Sequence, residues 1–535
     1  MRYISLFAML FVGMQLFHSQ QNTFPYSIQL KPKTVSGFDG LHSFVFAQDS
    51  GKVLLIGGRK DGLHARQPFN AFPENKNNAD IYVLDLETNE SWVASISNLS
   101  TSIREQLQST NMNFYQDADS LYIIGGYAYS PTAADHITFP YLTSVNVSGL
   151  IHAIMNQQSI DGFFKQITSD VFAISGGHLA KIGDTFYLVG GHRFDGRYNP
   201  MGNPTYVQTY SSSIRKFKIS NSGSTLVTSN YSEIVDPVNL HRRDYNLVPQ
   251  VFPNQELGYT ISSGVFQINA DLPFLYPVDI KASGHEPVTT FNQYLSNYHS
   301  ANTALYDLNE NKMYSIFFGG MSQYHFLNGQ LITDNTVPFV KTISLVTRDS
   351  NGLLQEFVFG TEMPALIGSS AEFIPIESVP HYENEVVKMN DLSGDSILIG
   401  HIVGGIYSSD KSAFTNNNTA ATSAHGTLYE VWLTKDSLNS IVSLNGVNPF
   451  NAKVYPNPSD SDVKIEFKVP TQGDVEMFIS DQNGKIVSNK VFENIKVGQQ
   501  AIELPKQIKL SAGNYYFNFV FEGKYNSYQK VIILK

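Results

Sequence analysis

Apolar positions in this chain come in runs of three to five residues, many of which stop at a pair of glycines, and long stretches with a 3.6-residue period are missing. The pattern occurs as Leu54-Leu55-Ile56-Gly57-Gly58, Tyr122-Ile123-Ile124-Gly125-Gly126, Tyr187-Leu188-Val189-Gly190-Gly191, Ile316-Phe317-Phe318-Gly319-Gly320 and His401-Ile402-Val403-Gly404-Gly405. The first glycines lie 68, 65, 129 and 85 residues apart. The third gap is close to twice the second and holds a sixth run at Tyr259-Thr260-Ile261-Ser262-Ser263-Gly264, where the pair has become Ser-Gly. A further strand and a polar turn precede the runs, as at 42–46 before Asp49-Ser50-Gly51, 178–182 before Gly183-Asp184 and 301–305 before 307–311. These are β-hairpins. Strands of mixed alternation follow at 81–85, 214–218, 340–346 and 428–432, so a unit holds about four strands.

Six four-stranded units, each with an apolar strand ended by glycines, resemble kelch-type β-propellers, whose inner strands crowd an axis and must turn sharply without a Cβ. The resemblance implies an all-β fold with a six-bladed ring over residues 24–445. Two features depart from the family. The units average about 69 residues against roughly 50, and the family's later tryptophan survives only at Trp92, with Trp432 the only other one. Long loops must fill the excess. The last unit lacks a fourth strand after Trp432, while the segment 26–30 precedes the first hairpin without a partner, so the ring is expected to close by pairing the two.

After Asn448-Pro449 the texture changes. Tyr455-Pro456-Asn457-Pro458 opens a new unit, and Val463-Ile465-Phe467 and Val475-Met477-Ile479 alternate before the Asp481-Gln482-Asn483-Gly484 turn, as in a small immunoglobulin-like β-sandwich with its own core. Residues 452–535 resemble the C-terminal sorting domain of the type IX secretion pathway of the Bacteroidetes group. The likeness is carried by Tyr455-Pro456-Asn457-Pro458, by Asp481 to Lys485 as the Asp-x-x-Gly-Lys turn, by Ala512-Gly513-Asn514-Tyr515, and by the terminal strand 530–535; Ser511 stands where the family has proline. The resemblance implies recognition by the type IX machinery and passage across the outer membrane.

The N-terminus agrees. Met1-Arg2 precedes an apolar run at 4–17 that ends at His18-Ser19-Gln20-Gln21, the shape of a signal peptide over 1–19. That run is shorter than the roughly 20 residues a membrane-spanning helix needs, so no transmembrane anchor is expected, and the destination is the medium or the outer cell surface after periplasmic export. The net charge of -11 argues against nucleic-acid binding, which needs a basic surface. The absence of cysteine excludes disulfides, thiolate metal sites and cysteine nucleophiles, including the cysteine-linked tyrosine of kelch-like copper oxidases.

Propellers present ligands at the channel mouth, which points to residues just after each glycine pair and in the loop before each unit. Arg59, His64 and Arg66 follow the first pair; His192, Arg193, Arg197 and Tyr198 follow the third; Arg242 and Arg243 introduce the fourth unit; Tyr324 and His325 follow the fifth pair. Arginine offers a planar fork of donors to carboxylates, and tyrosine a flat face to a sugar ring. The same residue types also tie neighbouring blades together. An acidic glycan or a protein is the expected ligand, with no cofactor and no metal: the glycine strings lack a helix behind them, Asp117-Ala118-Asp119 reads as a solvated turn, and no His-x-x-x-His pair occurs. By analogy with kelch-like sialic-acid epimerases, His192, Arg193 and Arg243 keep a carbohydrate-active enzyme as the alternative, and a structural surface protein is the third class.

Overall fold

The computed structural model describes residues 24–534 apart from 201–204, 328, 436–440, 445–447, 461–462 and 506. The segment read as a signal peptide lies outside the described residues. Among the described residues strands dominate, and two α-helices, Thr101–Leu107 and Val147–Met155, occupy connections of the first two units.

Among the described residues the body holds six sheets of four or more strands, built mainly of antiparallel pairs and following one another in chain order. Sheet one is Val45–Asp49, Lys52–Ile56, Asp80–Asp85 and Glu90–Ser95; sheet two is Asn113–Asp117, Ser120–Ile124, Tyr141–Asn146 and Phe164–Thr168. Sheet three is His178–Ile182, Thr185–Val189, Ser213–Ser222 and Thr225–Val235; sheet four is Asn246–Val251, Leu257–Ser262, Val278–Lys281 and Gly284–Pro287. Sheet five, Asn302–Asp307, Lys312–Phe318, Thr342–Arg348 and Leu354–Glu362, gains an outer strand at Ile441–Leu444 and a short parallel one at Val387–Lys388. Sheet six is Leu366–Pro375, Ser396–Ser408, Leu428–Lys435 and, from the other end of the chain, Tyr26–Lys33. Ile28 lies opposite Leu433 and Leu30 opposite Val431, so the unpaired N-terminal segment finds the partner its isolation implied.

Two cyclic sets of backbone hydrogen bonds link the sheets. In the first, the N–H of the second glycine of each pair, or of Gly264, donates to a carbonyl at the entrance of the next sheet: Gly58 to Ser109, Gly126 to Ile174, Gly191 to Arg242, Gly264 to Asn297, Gly320 to Ile367, and Gly405 back to Leu41. In the second, Asn111 donates to Ser43, Gly176 to Asn111, Asp244 to Gly176, His299 to Asp244, Ser370 to His299 and Ser43 to Ser370, a closed loop with one residue from each unit. The glycines are required for two reasons. Gly125 and Gly404 have φ of +69° and +67°, and a Cβ on them would stand 1.8 Å from the Ile174 carbonyl oxygen and 2.2 Å from that of Leu41. Ser263, the substituted member of the fourth pair, keeps the left-handed backbone at φ 59°, and its buried hydroxyl donates to Phe274 O and accepts from Asn297 Nδ2.

The apolar clusters obey the same order. Val45, Leu54 and Ile81 pack on Leu121 and Val145; Tyr122 and Ile124 on Phe186 and Phe217; Tyr187 and Val189 on Tyr259 and Val278. Val248 and Val251 pack on Ala304 and Phe317; Ile316 and Leu345 on Ile402, Val431 and Ile28; Ile374 and Val403 on Leu55 and Leu84. Each sheet is therefore covered on both faces, and every fully buried aliphatic or aromatic side chain contributes roughly 1.5–3 kcal/mol.

The C-terminal part has two sheets: Asn451–Tyr455, Lys464–Val469 and Gly498–Glu503 in one, Ile486–Ile495, Gly473–Asp481, Gly513–Phe521 and Tyr525–Ile533 in the other. They share a core of Ile465, Phe467, Met477, Ile479, Phe517, Phe519 and Val531. The Asp-x-x-Gly-Lys turn has a local cause: Asp481 Oδ1 accepts the N–H groups of Asn483 and Lys485, and Gly484 takes a φ of 79°. This part is also docked on the body. Val238 packs with Phe478 and Val520, Asn239 Nδ2 donates to Asn518 Oδ1, Gln267 Nε2 donates to Gly523 O, and Lys524 Nζ lies 5.7 Å and 5.4 Å from the rings of Tyr294 and Tyr324.

Candidate functional site

The closed backbone loop sits where the chain enters the first strand of each sheet. Four of its members, Ser43, Asn111, Asp244 and Ser370, hold left-handed φ of 51–55°, which turns the chain tightly and brings the six entrances together. The loops that leave the glycine pairs lie at the same end, because antiparallel bridges join His42 to Arg59, Thr110 to Tyr127, Ser175 to His192 and Arg243 to Val265. The two sets of candidate loops therefore share one face.

Asp244 and Arg243 form the centre of that face. Asp244 Oδ1 accepts from Asn111 Nδ2 at 3.2 Å, from two units away, and its other oxygen accepts from Arg243 Nη1. Arg243 Nε donates to Tyr210 Oη at 3.1 Å, its guanidinium lies over Phe266, and Tyr210 stacks on His241 with ring centroids 3.8 Å apart. Burial, followed by the charge of Arg243, lowers His192 well below the ordinary imidazole range and His241 to about 4; burial dominates at His64, also about 4, where Arg59 and Arg243 add to it. All three are neutral at pH 7, and all three feel the field of Arg243. In the loop itself, His299 Nε2 is 3.3 Å from Glu372 Oε1 and its ring centroid is 5.2 Å from that of His178. Burial opposes the charge on His299 and Glu372 overcomes it, raising His299, while burial and then His299 lower His178 to about 3.

Aromatic rings wall the same face. His64 stacks on Phe72 at 4.6 Å and meets the edge of Tyr198 at 4.7 Å; Phe194 stacks on Tyr206 at 4.5 Å. A hairpin holds Phe194 and Tyr206, His192–Gly196 pairing with Tyr206–Tyr210; beside it Tyr127–Ser130 pairs with Asp135–Thr138, and Tyr127 Oη ties the two hairpins by donating to Gly196 O.

The sequence-selected residues divide. Arg66, which lies over Phe414, Arg197, whose Nε donates to Ala71 O, His192, Tyr198 and Arg243 converge on this face, and Tyr198 senses both Arg243 and Arg66. Arg59 is buried and spends its fork on both Asp61 oxygens, at 2.8 and 2.6 Å, and on Asn77 Oδ1. Arg242 is fully buried over Phe274 and Tyr276, donating to the carbonyls of Asn239, Ser263 and Tyr276. Strand alternation separates Arg193 from His192: its side chain is 48% exposed and pairs with Asp195 and Asp170. Tyr324 is turned to Tyr294 and Lys524, where the C-terminal part docks. Sequence reasoning passed over Tyr210, Tyr298, His299 and Glu372. His299 occupies in unit five the place of Asp244 in unit four, so comparing the entrance loops position by position would have found Tyr298 and His299. Asp117 and Asp119 serve locally, the first binding Lys181 and the second the Ser148 N–H at a helix start.

Residues 453–534 match the family described as the secretion system C-terminal sorting domain. No curated protein matches the chain. Among solved structures, YjhT is 10% identical with a TM-score of 0.41, covering 77% of this chain and 99% of that one. A truncated trimeric ectodomain of the C. elegans fusion protein EFF-1 is 8% identical with a TM-score of 0.12, covering 95% of each chain. Likeness at this level does not define a shared fold. The sorting domain implies interaction with the type IX machinery and export to the cell surface or the medium. Among the described residues no helix is long and apolar enough to cross a membrane.

Proposed function

We propose that residues 24–445 form a six-bladed kelch-like β-propeller that binds an acidic glycan at its mouth outside the cell, and that residues 452–535 form an immunoglobulin-like sorting domain. The two cyclic hydrogen-bond sets and the six clusters between successive sheets support the ring. One observation carries the ligand reading: cationic forks and aromatic faces share one face, and among the described residues Arg66 and Arg197 have no carboxylate partner there, whereas Arg243 is balanced by Asp244.

Binding follows from that imbalance. A ligand carboxylate meets the uncompensated charge of Arg66 and Arg197, while distant acidic groups are screened beyond about 10 Å. A sugar ring stacks on Tyr198 or Tyr210, and the neutral imidazoles of His192 and His241 serve its hydroxyls without opposing the anion.

The test is titration of the full chain with sialic acids and uronates beside neutral sugars, for wild type and for R66A/R197A. Each charge-assisted contact is worth about 1.5–3 kcal/mol, so affinity for the acidic ligands should fall by about tenfold or more per contact. Absence of acidic-sugar binding by wild type, or equal binding by the variant, would make these arginines ties between loops. Ligand turnover in the same samples would shift the reading to a carbohydrate-active enzyme.

A further inference from the structure

Tyr324, which the sequence places among the ligand residues, serves a second place on the molecule. Its ring meets that of Tyr294 at 4.7 Å and an interplanar angle of 53°, so the two form a corner. Lys524 stands at the tip of the hairpin made by Gly513–Phe521 and Tyr525–Ile533. Its ammonium enters the corner, 5.7 Å from the Tyr294 ring, 5.4 Å from that of Tyr324 and 5.0 Å from that of Tyr525. These are cation–π distances. Burial opposes the charge on Lys524, and Tyr324 and Tyr525 overcome it, holding the ammonium above its ordinary value. Two carboxamides of the body take the backbone of the tip: Gln267 Nε2 donates to Gly523 O at 2.7 Å and Asn292 Nδ2 to Lys524 O at 3.2 Å.

The corner is fixed by the body alone. Ser322 Oγ donates to Tyr294 O and accepts the Tyr324 N–H, the two Glu356 oxygens accept the N–H groups of Tyr294 and Leu295, and Gln267 Nε2 is anchored on Pro273 O. The sorting likeness does not account for the tip, which lies between the Ala512-Gly513-Asn514-Tyr515 motif and the terminal strand from 530. The acid of the tip, Glu522, is turned away to the Asp474 N–H, so Lys524 is the charge of the tip that meets the rings.

The fit is incomplete. Asn292 is fully buried, and its Oδ1 has no hydrogen-bond partner among the described residues. A buried acceptor left unmet is destabilising. Lys524 does not meet it, because its own N–H closes a tight turn on Phe521 O, with Glu522 and Gly523 at φ of 51° and 61°. In an extended segment the N–H and C=O of one residue point to the same side, as in the paired bonds of antiparallel strands, and a single carboxamide matches both.

We propose that Tyr294, Tyr324, Gln267 and Asn292 form a recognition site for a lysine in an extended segment of another protein, and that Lys524 fills it in the full chain as an imperfect internal substitute. When the C-terminal part lifts, the rings take the incoming ammonium, Asn292 takes both backbone groups of the lysine, and Gln267 donates to a neighbouring carbonyl. The proposal stands apart from the acidic-glycan reading, because it uses none of the arginines.

The test uses the full chain and two probes, acetyl-Gly-Lys-Gly-amide and the same peptide with norleucine in place of lysine. V520D/K524E changes only the C-terminal part and lifts it, which hydrogen exchange at 292–295 reports. The lysine peptide is expected to bind this variant about tenfold or more tighter than the norleucine peptide, and to lose about tenfold when N292A is added. In wild type an excess of the lysine peptide should raise hydrogen exchange at 521–525 by displacing the tip, and the norleucine peptide should not. Equal affinity for the two peptides, or no binding to a folded and lifted variant, overturns the proposal. If the variant does not fold, the wild-type exchange decides, and a lysine peptide without effect on the tip, or an equal effect of both peptides, overturns it.

Discussion

Gly404 joins conformation and packing at a single atom. A methyl group there would enforce an unfavourable left-handed backbone and strike the Leu41 carbonyl at 2.2 Å, at the contact where the sixth unit meets the first. G404A is expected to destabilise the body by about 2–4 kcal/mol, measured by denaturant unfolding. Glu356 gives a second prediction. Its carboxylate accepts the N–H groups of Tyr294 and Leu295, yet complete burial outweighs them and raises it to about 8. Between the ordinary carboxylate value and pH 8 the folded state holds a proton that the unfolded state has released, so stability falls as pH rises through this window and levels off above it. E356Q removes that slope; unfolding free energies of wild type and variant at pH 5, 6.5 and 8 should converge on the acid side and separate on the alkaline side. Parallel curves would show that Glu356 does not titrate there.

Among the elements, Tyr26–Lys33 bears most on the whole body. It is the outer strand of sheet six, and Phe24 and Ile28 are buried in the cluster between sheets five and six. It therefore covers an outer edge and fills a core from a distant part of the sequence. I28D places a charge in that core and should lower the single melting transition of the body by roughly 5–10 °C rather than split it, because the two ends of the chain are paired with each other. A melt unchanged within error would mean that sheet six holds without this strand. The hairpins raised from units two and three act differently: they contribute little to the six inter-sheet cores and carry most of the aromatic wall, which is why insertions there lengthen the units without disturbing the repeat.

At the scale of the whole molecule, the C-terminal part keeps a separate core but is seated on the body through Phe478, Val520 and Lys524. None of the six clusters between successive sheets contains a residue of that part. A chain ending at residue 451 should therefore still fold cooperatively, with some loss of stability from the uncovered Val238, Tyr294 and Tyr324, and should accumulate inside the cell envelope. Fractionation and a melt of the retained protein check both halves, and normal release to the medium would refute the sorting assignment.

Sequence alone determined the strand class, the six-fold order of the units, the partner of the N-terminal strand and the sorting domain, because each rests on local constraints: alternation, a φ that only glycine adopts without strain, and turns closed by their own side chains, as at Asp481. Even the decayed fourth pair was legible, since its strand persisted after the glycine was lost. Which arginines reach the face where the entrance loops meet was decided only by tertiary structure. Arg59, Arg193, Arg242 and Arg243 look alike in the sequence, but Asp61 consumes the first, strand alternation turns the second away, three carbonyls enclose the third, and only the last reaches the face where the entrance loops meet. The docking of Tyr324 beneath Lys524 was equally invisible, because the two residues are 200 positions apart and meet through a rigid-body contact that no local pattern encodes.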